Sequence, residues 1–324
     1  MVDVVIAGGG TGGHTSPGLA VAALLRQRHL TCAWIGSHHG VEARIVPGRD
    51  VPYTAIPTGK LRRYWSWRNV ADLLVNTPTG VLAAAHALRR LRPRVVFATG
   101  GYVALPVVLA AAVRRVPSVI HEQTAVPGLA NRLAGRLASR IAVTFPDTDG
   151  RFPPARVIVT GNPIRPELRS GSRADALSMF KLDPATPLVY VTGGAQGAQR
   201  INRAVGESLP ALLAHTQVIH QCGDNPTTGD RAWLEGLRAT LPPALAARYT
   251  LKPWVGEELA AIYAAATLVI GRAGAGTVNE CCHLVRELLA DRAALKKMGE
   301  HARAVAVPDA AERIVDVLLT TARR

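Results

Sequence analysis

The run Gly8-Gly9-Gly10-Thr11-Gly12-Gly13-His14 places an imidazole directly after a stretch of backbone almost free of side chains. Glycines that follow a parallel strand let the main chain approach a ligand closely. The helix after them turns its unpaired N–H groups and the positive end of its dipole toward an anion or a polar group. An imidazole in the first turn of such a helix sits where the dipole disfavours the protonated form, and a neutral imidazole is what a general base requires. The plainer alternatives are a tight turn that holds no ligand and a histidine with a purely structural role. The run is not a dinucleotide fingerprint, because Ile35 is followed by Gly36-Ser37 where that motif carries an acidic residue. It also lacks the Lys-Ser/Thr pair of a nucleoside-triphosphate loop.

The second half repeats the theme. Gly193-Gly194-Ala195-Gln196-Gly197-Ala198 follows one apolar run, and Gly271-Arg272-Ala273-Gly274-Ala275-Gly276-Thr277 follows another, ahead of Val278-Asn279-Glu280. Phosphate groups fit the helix N-terminus at the latter loop, with Arg272 as counter-charge. Glu280, one turn on, is placed to accept hydrogen bonds from ribose hydroxyls, or else is a solvated helix residue. Cys281-Cys282-His283 lacks the ligand spacing of a zinc site and has no second ligand pair.

These loops must be held by strands. Short apolar runs at 2–7, 31–35, 95–98, 118–120, 141–143 and 157–159 are separated by helical or turn segments, and a helix is expected over 17–27. A second series begins at 188–192 and continues at 217–221, 249–251 and 267–270. Such runs read as strands buried on both faces, the mark of parallel sheets, and two βα series imply two doubly wound α/β domains. The junction is expected at Gly161-Asn162-Pro163-Ile164-Arg165-Pro166, where proline and glycine interrupt regular structure.

The chain has 324 residues, 48% hydrophobic and 19% charged, which suits a folded protein of two domains. A formal charge of +15 implies an acidic partner: nucleic acid, an anionic membrane face or a phosphorylated substrate. Four scattered cysteines give no disulfide framework, and with no signal peptide in view they favour a reducing cytosol. No apolar run reaches the ~20 residues of a spanning helix, so membrane contact is expected to be peripheral. Arg62, Arg63, Tyr64, Trp65, Trp67 and Arg68 interleave cations with aromatics, and Arg89, Arg90, Arg92 and Arg94 follow. This composition suits an anionic interface. A solvated loop with its Trp residues packed inward is the alternative. Single-stranded nucleic acid would suit the same composition, but no recognised nucleic-acid motif accompanies it.

Taken in order, the first glycine run with Ser16-Pro17-Gly18-Leu19-Ala20, then Thr99-Gly100-Gly101-Tyr102, His121-Glu122-Gln123, Pro127-Gly128-Leu129-Ala130-Asn131, Gly161-Asn162-Pro163-Ile164-Arg165, the second glycine loop, Arg272 to Val278 and Val307-Pro308-Asp309-Ala310-Ala311 resemble the MurG family of peptidoglycan glycosyltransferases, of glycosyltransferase family 28. The resemblance spans nearly the whole chain. It implies a GT-B fold: two Rossmann-like domains facing across a cleft, 1–161 with 308–324 and 162–307, and a C-terminal helix returning to the first. It implies a hexosyltransferase that moves N-acetylglucosamine, with inversion, from UDP-N-acetylglucosamine to the C4 hydroxyl of lipid-linked N-acetylmuramoyl-pentapeptide on the cytoplasmic membrane face. No metal or other cofactor and no nucleic acid enter that reaction. By the resemblance His14 is the base. The donor side takes Thr11, Gly12, Gly13, Thr124, Arg165, Ala195, Gln196, Arg272, Ala275, Gly276, Thr277 and Glu280. Tyr102, Glu122, Gln123 and Asn131 belong to the acceptor side, with Thr11 and Gln123 facing the sugar or the acceptor.

Three departures stand out. Thr124 replaces an Asn expected to touch the donor sugar, and Ala195 replaces a Ser that is a possible phosphate donor. After Leu284 the family continues with a strand, a Pro-containing loop and an Asp-x-Gln segment. This chain passes instead to Val285-Arg286-Glu287-Leu288-Leu289. Read without a break, 278–304 forms a single helix, unusually long for a globular domain. A segment of the donor site is therefore expected to be missing, which leaves open a catalytically weak, membrane-docking relative or a transferase with another lipid acceptor.

Overall fold

A computed structural model describes residues 1–10, 12–59, 76–146, 151–194, 196–271, 291–305 and 307–322. The chain divides into two compact units, Met1–Arg165 with Ala306–Arg324, and Pro166–Val305.

In the first unit, seven strands form one sheet: β1 (Val4–Gly8), β2 (Cys32–Ser37), β3 (Tyr53–Ile56), β4 (Val95–Gly100), β5 (Ser118–Glu122), β6 (Arg140–Val143) and β7 (Val157–Val159). Their order is β3-β2-β1-β4-β5-β6-β7, and every pairing is parallel. The inner strands are covered on both sides, so their side chains are buried whichever way they point. The edge strands β3 and β7 are only partly buried, against the double burial expected for 157–159. Val5, Ala7, Val96 and Ala98 pack against the helices Thr77–Leu91, Ala104–Val113 and Leu129–Gly135. Val4, Ile6, Val95 and Phe97 pack on the other face, against Gly12–Gln27 and the C-terminal helix Ala310–Ala322. Burial on both faces is why these strands read as unbroken apolar runs. The last helix fits there because Ile314, Val315 and Leu318 recur on one side and are fully buried. Arg28 reaches its Asp316 at 2.6 Å.

The second unit repeats the plan with β8 (Leu188–Thr192), β9 (Gln217–Gln221), β10 (Tyr249–Lys252) and β11 (Leu268–Ile270), all parallel, in the order β10-β9-β8-β11. Val189 and Val191 face one core cluster, Leu188 and Tyr190 the other.

Several expectations need correction. Strand β3 was not expected: it is short, lies between Pro52 and Pro57, and forms the sheet edge. The first helix begins at Gly12, so Pro17 lies inside it. Its fixed φ suits a helix, and the cost is one missing N–H toward the Gly13 carbonyl. The single helix over 278–304 does not form. Asp291 is outside the helix Arg292–Val305 and caps it, accepting from the amides of Ala293 and Ala294 at 3.0 and 2.9 Å.

Candidate active site at the carboxyl ends of β1, β4 and β5

Strand order reverses between β1 and β4, and in open α/β sheets ligands bind beyond the strand ends at that point. The structure brings His14, Thr99, Gly100, Tyr102 and Gln123 together there. His14 Nδ1 lies 3.1 Å from the Thr99 carbonyl, and Thr99 Oγ1 donates to the His14 carbonyl at 2.6 Å. The tautomer that donates to this carbonyl has its proton on Nδ1 and the lone pair of the imidazole on Nε2. Gln123 Nε2 stands 3.2 Å from Nδ1 and donates to the same Thr99 carbonyl at 3.3 Å. Sequence reading placed Thr99 in a motif without giving it a role. Here it grips the histidine at two points.

The loops need their glycines. Gly10 has φ +84° and faces the Tyr102 ring, where a Cβ would collide with the ring edge. Gly101, at φ +79°, lets the loop after β4 pass against the Gly9 carbonyl. Gly12 and Gly13 are exposed at the start of the helix. Trp34 closes the floor, its Nε1 donating to the Gly8 carbonyl at 3.0 Å.

Glu122 and Asn131, expected on the acceptor side, are buried within their own loop. Glu122 Oε1 accepts from the Thr124 amide at 3.0 Å and its hydroxyl at 2.7 Å. Oε2 accepts from the Gly128 amide at 3.2 Å and Asn131 Nδ2 at 2.9 Å. This carboxylate shapes the segment from 122 to 131, and Thr124 is one of its ligands. Just before it, His121 donates from Nε2 to the Gly161 carbonyl at 3.0 Å. Burial lowers its pKa to about 4, so it is neutral. Arg165 keeps a buried Nε with no partner.

Strand β2 ends at Gly36-Ser37 with no acidic residue, as the sequence indicates. Glu42 lies beyond β2, in the short helix Val41–Ile45, and its carboxylate sits under the glycine loop. The only signal was an acidic residue in a first helical turn.

In the second unit a buried chain of hydrogen bonds underlies the loop after β8. The Tyr249 hydroxyl meets His220 Nδ1 at 2.9 Å, and His220 Nε2 meets Asn202 Oδ1 at 3.1 Å. Asn202 Nδ2 donates to the Cys222 carbonyl and to Asp230, both at 2.9 Å. Asn202 Oδ1 only accepts, so His220 carries its proton on Nε2, and its Nδ1 accepts a hydrogen bond from the Tyr249 hydroxyl. Burial lowers its pKa to about 4. Gln196 is exposed in the loop above. Thr11, Ala195, Arg272, Ala275, Gly276, Thr277 and Glu280 lie outside the described residues, as do Arg62, Arg63, Tyr64, Trp65, Trp67 and Arg68. Among the described residues, no group of three or more His, Cys, Asp or Glu could hold a metal ion, and no helix is long and apolar enough to cross a membrane.

Two doubly wound parallel units with glycine loops at the strand ends and a last helix packed on the first define a GT-B protein of the glycosyltransferase class. Residues 4–143 match the glycosyltransferase family 28 N-terminal domain and 188–322 the family's C-terminal domain, so the chain belongs to glycosyltransferase family 28. It is 37% identical over 289 residues to a Bacillus thuringiensis protein named UDP-N-acetylglucosamine–N-acetylmuramyl-(pentapeptide) pyrophosphoryl-undecaprenol N-acetylglucosamine transferase 3, covering 89% of this chain and 78% of the relative. A Lachnoclostridium phytofermentans transferase of the same name, without the number, is 38% identical over 280 residues, covering 86% and 75%. Among solved structures, Acinetobacter baumannii MurG superposes with a TM-score of 0.69 at 25% identity, over 99% of this chain and 100% of that one. A Neisseria meningitidis UDP-GlcNAc 2-epimerase bound to UDP-GlcNAc shares the fold, with a TM-score of 0.67 at 14% identity over 98% and 100% of the two chains.

Proposed function

We propose that this chain transfers N-acetylglucosamine from UDP-N-acetylglucosamine to the C4 hydroxyl of undecaprenyl-pyrophosphoryl-N-acetylmuramoyl-pentapeptide, with inversion. The observation that carries the reading is His14, its Nδ1 held 3.1 Å from the Thr99 carbonyl in a chain 37% identical to a transferase of that name. His14 Nε2 takes the acceptor proton as the C4 oxygen attacks the anomeric carbon. The bond from that carbon to UDP breaks, and its electron pair leaves with the diphosphate. General-base catalysis of this kind contributes roughly 10²–10⁴-fold. Arg165 and the loop around Ala275 and Gly276 meet the leaving charge, with Glu280 on the ribose; the partnerless Nε of Arg165 supports its part. Thr11, Gly12, Gly13, Thr124, Ala195, Gln196, Arg272 and Thr277 complete the donor side, and Tyr102 and Gln123 face the acceptor.

The first unit is the acceptor and membrane side. It holds 23 Lys and Arg against 10 Asp and Glu, and the second unit 15 against 13, so the positive charge is concentrated in the first. Its packed helices Thr77–Leu91 and Ala104–Val113 expose Leu82 by 72% and Val113 by 78%, beside Arg89, Arg90, Arg114 and Arg115. That pairing of apolar and cationic groups suits peripheral binding to an anionic membrane. Sedimentation with anionic vesicles should fall steeply with salt, and equal binding to neutral vesicles would defeat the membrane assignment.

One observation favours a second reading. The chain spans 78% of its Bacillus relative, and among the described residues the second sheet has four strands. A relative that docks on membranes but handles the donor poorly would show this. The deciding experiment is transfer of labelled N-acetylglucosamine to the lipid-linked acceptor by wild type and His14→Ala, beside calorimetric titration with UDP-N-acetylglucosamine. Transfer that drops at least 100-fold in the variant is the expected result. Unchanged turnover would remove His14 as base, and a folded chain that binds no donor would favour the weak relative.

A further inference from the structure

Glu42 has no exposed surface and no ion-pair partner among the described residues. Oε2 accepts from the Gly10 amide at 2.7 Å; Oε1 accepts from the Ser37 amide at 3.0 Å and its hydroxyl at 2.6 Å. The carboxylate lies so close beneath Gly9 and Gly40 that a Cβ on either would collide with it. Ser37 is braced in turn, its hydroxyl accepting from the Gly40 amide at 2.9 Å and its carbonyl accepting from the Tyr53 hydroxyl at 2.6 Å.

A buried carboxylate is costly unless hydrogen bonds meet it, and an apolar side chain in its place would leave the Gly10 and Ser37 donors unpaired. Its placement here has a geometric consequence. A loop that cradles phosphate aims its N–H groups outward at the ligand. In this loop the Gly10 N–H points inward onto a fixed negative charge, while the Tyr102 ring bounds Gly10 on another side. Gly10 is thus clamped four residues before His14, and the histidine is anchored from across the sheet by Thr99.

We propose that Glu42 is a positioning residue of the transfer reaction: its carboxylate, through the Gly10 amide, holds the glycine loop in the register that sets His14 against Thr99. This rests on the function proposed above. Every group facing the carboxylate is a donor, so glutamine, identical in shape, must turn its amide nitrogen against one of them.

The test is Glu42→Gln, alone and with His14→Ala, read by steady-state transfer kinetics and by nuclear magnetic resonance of the unliganded protein. The expected loss in kcat is about 10–100-fold, the scale of a displaced catalytic group, with KM for UDP-N-acetylglucosamine within about twofold. In the His14→Ala background the second substitution should change turnover less than about twofold, because it acts through the histidine. The Gly10 amide proton should move upfield, and the His14 ring resonances should shift with it. Wild-type kcat in Glu42→Gln, an equal loss in both backgrounds, or unmoved His14 resonances would each overturn the proposal. The resonances decide it even for a chain with no transfer activity, in which case the function proposed above fails alone.

Discussion

His14 is fixed by neutral groups. The Thr99 hydroxyl and carbonyl hold both its backbone and its ring, so removing one hydroxyl should be felt at the imidazole. Thr99→Val keeps the shape but leaves the His14 carbonyl without this donor. It should cost roughly 1–3 kcal/mol in denaturant unfolding and lower kcat more than it alters donor binding. A second consequence concerns His121 and His220, each held neutral by burial, with pKa lowered to about 4 from the ordinary 6.5. Their folded pKa values lie below the unfolded ones, so the unfolded chain binds more protons in between. The stability they contribute is complete above pH 6.5 and is lost as pH falls toward 4, up to roughly 3 kcal/mol for each. Between pH 6.5 and 5 ordinary carboxylates remain ionised. A fall of the urea midpoint in that window, flattened by His220→Gln, is the expected signature; a flat midpoint would contradict neutral burial.

At the level of elements, the strands were legible because double burial writes them as apolar runs, but their functional ends were not. Periodicity ended β4 at Ala98 and β5 at Ile120, whereas the strands continue through Thr99-Gly100 and His121-Glu122. Thr99, His121 and Glu122 are polar because their side chains bond to backbone and loop groups around the site. Apolar periodicity began the helix after β1 at Pro17; it begins at Gly12, because the glycines and His14 ahead of Pro17 carry no apolar face, and His14 lies in its first turn. The close pass of the loops after β1 and β4 gives another prediction. In Gly101→Ala, the Cβ meets the Gly9 carbonyl at φ +79°. Strain of about 1–3 kcal/mol should lower Tm and reduce kcat, with far-UV circular dichroism unchanged. Wild-type Tm and kcat would mean that the loops are not held this close.

For the whole molecule, the C-terminal helix Ala310–Ala322 is the far end of the chain folded back onto the first unit, burying Ile314, Val315 and Leu318 against Val4, Ile6 and Phe97. Leu318→Ala should cost about 2–5 kcal/mol, read as a fall in the melting of the first unit; a fall under about 1 kcal/mol would mean the helix is not docked as described.

The amino-acid sequence by itself determined the two parallel α/β series, the glycine loops after β1 and β8, the candidate base and the family. All of these depend on local patterns: apolar runs, turn residues and motifs of a few positions. Tertiary structure alone decided which residues meet. Thr99 lies 85 positions from His14 and Glu42 lies 32 from Gly10, and each pair forms only because strand order sets β4 and β2 on either side of β1. Glu122, expected on the acceptor side, organises its own loop, where four donors within nine residues reach it. A carboxylate's partners depend on which donors the folded backbone brings within about 3 Å, and no local pattern in the sequence encodes that distance.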